Sequence, residues 1–465
     1  MKLLKQGTLV TPQESFLGDL LIDGEKIAGI YRGSAPAGTV PADAEIIDAS
    51  GKLIFPGFID AHTHFDLHVA GTVTVDDFAS GTRAAIAGGT TSIIDFGTQY
   101  PGETLEEGTQ NWHAKAAAGC SCDYGFHMTI TDWNEQTRQD CQNMMDEGLS
   151  TFKIYMTYDT QIDDQTVYEV VKRLKEVGGI TGCHCENAGL IDGMRAEYAA
   201  DETLRKTVSS HYKTRPAAAE AEAINRLLHI CEVADTPVID VHLTCEEGLE
   251  EIRAARKRGQ TVFAETCPQY LILTSDKLDA PTFEEASKYV CAPPLRTQHD
   301  IDVLWKALAD GEIQTVSTDH CSFTMEQKAL GKDDFRKIPG GMPGVENRGE
   351  VLYSEGVAKG RLTKERMCAV LAENPAKLYG LYPRKGVLQE GSDADLVLID
   401  PQARKTISVD NQVSKCDYAP LEGLELEGSV TQVYLRGELT AENGTVLQEN
   451  RGQFLKRGPF RSDIQ

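Results

Sequence analysis

The sequence predicts an α/β protein: a closed parallel barrel of eight β/α units, with a small β domain assembled from both ends of the chain. Three observations predict it. Apolar runs ending in polar residues recur through the middle of the chain and alternate with helical stretches. Both ends instead show the short alternating strands and tight turns of an antiparallel sheet. No Gly-x-Gly-x-x-Gly turn follows the first apolar run, which sets aside a doubly wound nucleotide-binding sheet. The chain has 465 residues, and one such barrel absorbs over half of them.

Residues 1–54 carry LVTPQ, DLLIDGEKIAGI and EIIDASGKLIF, with Asp23-Gly24 as a hairpin signal. Residues 55–380 hold the barrel. Its predicted strands are 55–64, 90–97, 123–130, 151–156, 179–186, 236–244, 261–268 and 313–320. Stretches such as VYEVVKRLKEVGG, AAAEAEAINRLLHICEVA and IDVLWKALADG are the intervening helices, and the long gap at 187–235 requires extra helix. In 381–465, DADLVLID and SVTQVYLRGELT return to the strand pattern and complete the small β domain.

Charge and composition exclude several functions. Against 46 Lys+Arg stand 71 Asp+Glu, a net charge of −25, which repels nucleic acid and anionic lipid surfaces. No run approaches the roughly 18 apolar residues of a membrane span. The start, MKLLKQGTLVTPQ, lacks the pattern of a secretory signal. Twelve cysteines without a Cys-x-x-Cys pair read as reduced thiols of a cytoplasmic protein.

The chemistry is legible in where polar residues fall on the strands. His62 and His64 end the first strand, and their spacing of two points both imidazoles to one face. Lys153 interrupts an apolar run in the fourth strand. His184 and His242 lie near the ends of the fifth and sixth, and Asp319 ends the eighth. Barrel active sites lie at this end of the strands, so the six residues converge on one mouth. Any one of them alone reads as a hydrogen-bonded core residue. Four imidazoles and a carboxylate buried together are costly to desolvate unless a cation offsets the burial, so the set predicts a metal centre. His113, His127, His211, His229 and His299 read as core or surface residues, and His320 as support for Asp319. Cys183 and Cys185 flank His184 and face away from it.

The ordered motifs PGFIDAHTHFD, STFKIYMTY, CHCEN, VHLT, ETCPQYL, APPLR, STDHCSF and GGMPGVENR resemble the amidohydrolase superfamily, within it the dihydropyrimidinase and D-hydantoinase family. The resemblance spans nearly the whole chain. It implies a TIM-like (β/α)8 hydrolase barrel with a β-sandwich from both termini, and a homotetramer built partly through the C-terminal tail. It implies two divalent ions, zinc as a rule, bridged by a hydroxide and by Lys153 carboxylated on its amine. His62 and His64 with Asp319 then correspond to the ligands of one ion, and His184 and His242 to those of the other. Asp319 is the proton carrier. Strand parity favours Tyr155 as the oxyanion donor, but the family tyrosine lies five residues after the lysine, at Tyr158.

Two positions depart from the family. Ala292 stands where Ser is common before Pro-Pro-Leu-Arg, and Gly340 where Asn is common. Both are expected to hold the substrate's ring amide through backbone groups. The implied substrate is a small cyclic ureide, either a 5,6-dihydropyrimidine or a 5-substituted hydantoin, opened to an N-carbamoyl amino acid. Phe65, Leu67, His68 and residues 157–161 are expected around the ring substituent. Dihydroorotase is disfavoured because Asp66 stands where that activity has Arg. Phenylhydantoinase-type activity and allantoinase are the alternatives within the chemistry, and a metal-free scaffold protein is the alternative outside it.

Overall fold

Alternation at the N-terminus resolves into β1 (Lys2–Val10), β2 (Ser15–Asp23), β3 (Lys26–Arg32), β4 (Glu45–Asp48) and β5 (Leu53–Pro56) in the computed structural model, which describes residues 1–464. Gly24, at φ 56°, turns β2 into β3 as the Asp-Gly signal requires. The C-terminal strands β16 (Leu396–Thr406), β17 (Glu425–Leu435), β18 (Glu438–Glu442) and β19 (Thr445–Val446) join them, since β16 pairs with β5. The order is β19-β18-β17-β16-β5-β1-β2-β3, with β4 also on β1, so both chain ends share one hydrogen-bonded sheet. Leu4, Leu9, Leu20, Ile22, Ile54, Leu396 and Leu398 form its apolar core.

Between these ends lies the barrel: β6 (Phe58–Thr63), β9 (Thr90–Thr98), β10 (Asp123–Thr129), β11 (Thr151–Tyr155), β12 (Ile180–His184), β13 (Val238–Asp240), β14 (Val262–Thr266) and β15 (Thr315–Val316). All neighbours are parallel and in chain order. A two-rung hairpin, β7 (His68–Val69) with β8 (Thr72–Val73), stands on the rim after β6. Every residue of β9 is buried, because a barrel strand has side chains within and helices outside. The helix Asp164–Val177 illustrates the outer ring. Asp163 accepts from Thr166 N at its start, Gly178 at φ 80° ends it, and Val167, Val170, Val171 and Leu174 form the buried face. The segment 187–235 does carry additional helix, at Ala188–Ala200, Glu202–Lys206, Ser210–Lys213 and Ala217–Ala234.

The seam between first and last strands closes through backbone bonds and buried side chains. Thr63 bridges His320, and His64 N donates to His320 O at 2.8 Å. The buried guanidinium of Arg348 donates to Ile59 O at 2.7 Å and Val316 O at 2.8 Å, spanning β6 and β15. Thr318 Oγ1 donates to Asp60 at 2.7 Å. Strands β13 and β15 are shorter than the sequence predicts. His242 and Asp319 take left-handed backbone, φ 46° and 53°, which ends extended pairing and lifts both side chains off the ladder. Residues 452–458 leave the small sheet and run along the start of β10, where Leu455 N donates to Tyr124 O at 2.7 Å. No helix among the described residues is long and apolar enough to cross a membrane. All twelve cysteines are free and buried.

Candidate metal centre at the barrel mouth

His62 lies within β6 and His64 just beyond it, and the two imidazoles meet at one carboxylate. Asp319 Oδ1 is 3.2 Å from His62 Nε2 and 3.1 Å from His64 Nε2. One ligand atom from each of the three can be chosen so that all lie within 4.8 Å of one another, the arrangement a single cation needs. The other nitrogen of His62, Nδ1, is held by Glu265 at 2.6 Å, fixing the ring so that Nε2 faces the site. Burial opposes ionisation of Asp319, but His62 and His64 outweigh it and hold the carboxyl well below the ordinary range. Burial also opposes charge on His62, yet Glu265 and Asp319 overcome it and raise its pKa.

Across the mouth, the rings of His184 and His242 stand 4.5 Å apart, and His242 is 5.4 Å from His62. His184 Nε2 is bonded to Glu186 at 2.7 Å, which leaves Nδ1 as the nitrogen free to face the mouth. Glu186 also accepts from Arg215 at 2.5 Å. Burial works against its charge, but Arg215 and His184 hold it down at about 2. Burial keeps both His184 and His242 below the usual histidine range, so they are neutral donors.

Lys153 is fully buried on β11, and its Nζ has no hydrogen-bond partner among the described residues. It lies 5.0 Å from the centre of the Phe96 ring and 5.2 Å from that of Tyr155. Burial lowers its pKa, which favours the free amine. An orphaned buried amine between two pairs of histidines is the group that fits conversion to a carbamate. With it, the nitrogen and oxygen donors present suit two divalent cations.

Tyr158 and Tyr155 both reach the centre. Tyr158 lies 5.0 Å from the His184 ring and Tyr155 5.7 Å, with 6.0 Å between the two tyrosines. Tyr158 sits beyond the end of β11 at φ 69° and is 38 % exposed, while Tyr155 remains half-buried within the strand. Crowding by the surrounding protein raises the pKa of Tyr158, so its phenol remains a donor. Arg215 lies 5.4 Å from the centre of its ring and connects it to the Glu186–His184 pair. Left-handed backbone at Tyr158, His242 and Asp319 concentrates strain where the functional side chains are presented.

Ala292 and Gly340 are brought together: a Cβ added at Gly340 would lie 4.0 Å from Ala292 N. The expected place of Phe65 on the substituent rim is corrected. Its ring is fully buried, packs edge-on to Phe78 and His320, and rests on Gly81, where a Cβ would come within 2.3 Å. Asp95 pins this turn by accepting from Phe65 N at 2.9 Å and Thr63 Oγ1 at 2.8 Å. Leu67 is half-buried, and His68 and Asp159 are exposed. His320, the residue after Asp319, is anchored on the far side of the turn. Its Nε2 bonds Asp76 at 3.0 Å, and its Nδ1 accepts from Gly344 N and Val345 N at 3.1 and 3.2 Å.

Glu265, Glu186 and Arg215 are the functional residues that sequence reasoning missed. The signal was present for both acids, since each is a carboxylate at the end of an apolar strand, like Asp319. Glu186→Gln is expected to weaken cation affinity at the His184/His242 pair about 10–100-fold while sparing the His62/His64 site. Chelator competition, read one metal equivalent at a time, measures it.

The amidohydrolase family model matches residues 53–440. A D-hydantoinase of Geobacillus stearothermophilus is 41 % identical over 464 residues, covering 99 % of this chain and 97 % of its own. A D-phenylhydantoinase of Escherichia coli is 40 % identical over 462 residues, 98 % of each chain. The crystal structure of a dihydropyrimidinase from Brevibacillus agri superposes with a TM-score of 0.95 at 39 % identity, covering 99 % of both chains.

Proposed function

The chain belongs to the amidohydrolase family, in its hydantoinase and dihydropyrimidinase branch, and on that premise we propose that it opens 5,6-dihydropyrimidines or small 5-substituted hydantoins to N-carbamoyl amino acids. It is a cyclic amide hydrolase. The observation that carries the reading is the convergence of His62, His64 and Asp319 beside the orphaned amine of Lys153, opposite His184 and His242.

In this reading His62, His64 and Asp319 hold one divalent ion, zinc by the chemistry of the donors, and His184 and His242 hold a second. Lys153, as N6-carboxylysine, would supply an anionic ligand to both. The lone pair of its neutral amine forms a bond to the carbon of CO2 as one C=O π pair moves onto oxygen, and the nitrogen releases a proton to solvent, which replaces a neutral amine by a carbamate anion. When bound, the ion pair supplies a strong nucleophile from water at neutral pH and polarises the amide carbonyl. The protein's own groups do the rest. Asp319 accepts the proton of the attacking water and delivers it to the departing ring nitrogen. The Tyr158 hydroxyl donates to the carbonyl oxygen as negative charge develops there. The paired backbones at Ala292 and Gly340 hold the ring amide. The acidic chain acts as a homotetramer in the cytoplasm, a reading supported by kinship and by its twelve free thiols.

Tyr158→Phe is expected to lower kcat about 100- to 1,000-fold with two metals still bound per chain. An unchanged rate would move the donor role to Tyr155. The substrate class is tested by initial ring-opening rates of zinc-loaded, bicarbonate-supplemented protein on dihydrouracil, 5-phenylhydantoin and allantoin. Exposed His68 and Asp159, and the withdrawal of Phe65 into the core, favour small or polar rings, so dihydrouracil is expected to be preferred. Preference for phenylhydantoin would mean an apolar pocket, and no turnover with two metals bound would reject the substrate class.

A further inference from the structure

The chain after Asp319 runs into a single short helix, Met325–Lys328, whose last two side chains reach back to the rim of the site. Thr324 and Gln327 cap this helix reciprocally, with Thr324 N donating to Gln327 Oε1 at 2.8 Å and Gln327 N to Thr324 Oγ1 at 3.2 Å. The amide nitrogen of Gln327 donates to Thr72 Oγ1 at 2.8 Å and Val73 O at 2.6 Å, which ties down the β7–β8 hairpin. Lys328 is fully buried yet has no carboxylate partner among the described residues. Its ammonium donates to Val290 O at 2.9 Å, Pro339 O at 2.7 Å and Gly341 O at 2.8 Å.

Those three carbonyls belong to two segments. Val290 lies two residues before Ala292, and Pro339 and Gly341 flank Gly340. One direct backbone bond joins the segments, from Gly341 N to Val290 O at 2.9 Å. An ammonium has three donors, and here all three are used, on acceptors that converge on one point. A guanidinium is a flat fork and cannot serve such a cluster, and an apolar side chain leaves Pro339 O and Gly341 O without a donor, while Val290 O keeps only its bond from Gly341 N.

We propose that Lys328 is a positioning residue for substrate recognition: its ammonium fixes the separation of the Ala292 and Gly340 backbones, and so the width of the slot that grips the ring amide. The inference rests on the cyclic-amide reading and on the ring being held at those two backbones. It assigns Lys328 no contact with substrate or metal. The expected signature is therefore weaker ring binding with the chemical step intact.

The test compares wild type, Lys328→Met and Lys328→Gln, each zinc-loaded, for KM and kcat on dihydrouracil and for bound zinc. In Lys328→Met, KM is expected to rise about tenfold or more, with kcat within about threefold of wild type. Zinc per chain should be unchanged. Lys328→Gln, which keeps two donors, should fall between the two. An unchanged KM in folded variants, a fall confined to kcat, or loss of zinc would overturn the proposal. If Lys328→Met does not fold, Lys328→Gln carries the test, and failure of both to fold would assign the lysine to stability alone. Wild-type protein with two zinc ions and no ring opening would instead reject the cyclic-amide reading.

Discussion

Lys153→Met is expected to leave a folded barrel that has lost about four orders of magnitude in kcat and can no longer retain two metals per chain. The position is fully buried and its nitrogen has no partner, so an unbranched apolar side chain of similar length removes no existing hydrogen bond. Methionine should therefore be tolerated, and thermal stability should hold or rise. Lys153 has one purpose in this mechanism: once carboxylated, it places an anion between two cation sites that otherwise rely on imidazoles and a single carboxylate. Without that anion the His184/His242 site, built of neutral donors, is expected to empty first. Metal content by atomic emission, read beside the melting temperature, separates this from simple misfolding. Full activity in Lys153→Met would contradict the assignment.

Asp319→Asn should cost about 100- to 10,000-fold in kcat, the range for removal of a positioned general acid–base group. Asparagine is the informative replacement for two reasons. It preserves the shape of the side chain, and among residues with a Cβ it is one of the few that readily adopt the φ of 53° found there. An alanine variant would mix backbone strain with lost chemistry. The amide still offers an oxygen to a cation but cannot take up a proton at neutral pH. Loss of rate should thus exceed loss of metal, and raising the zinc concentration should not restore turnover. Recovery of most of the rate at high zinc would show that Asp319 acts only as a ligand.

Most of the barrel was legible because parallel strands buried on both faces leave continuous apolar runs, as TTSIIDFG does. The extent of β13 and β15 was not. Their predicted C-terminal halves look strand-like in sequence, yet left-handed backbone at His242 and Asp319 turns them into presenting loops. The residues gathered at the mouth stood out because histidine, lysine and aspartate are conspicuous at the ends of apolar runs. Their supports were hidden, since each is defined by a partner far along the chain. Glu265 acts through His62, 203 residues away, Arg215 through Glu186, and Lys328 through loops on either side of it. Phe65 shows the opposite error. It was expected among the loop residues around the ring substituent, but the bond from its backbone to Asp95 turns the ring into the core over Gly81.

The most direct test is anomalous X-ray diffraction at the zinc edge from crystals grown with zinc and bicarbonate. Two peaks roughly 3.5–4 Å apart are expected, one at His62, His64 and Asp319 and one at His184 and His242, with density extending the Lys153 amine between them. A single peak, or a bare Lys153 amine beside two ions, would contradict the carboxylated, two-metal centre on which this account of ring opening depends.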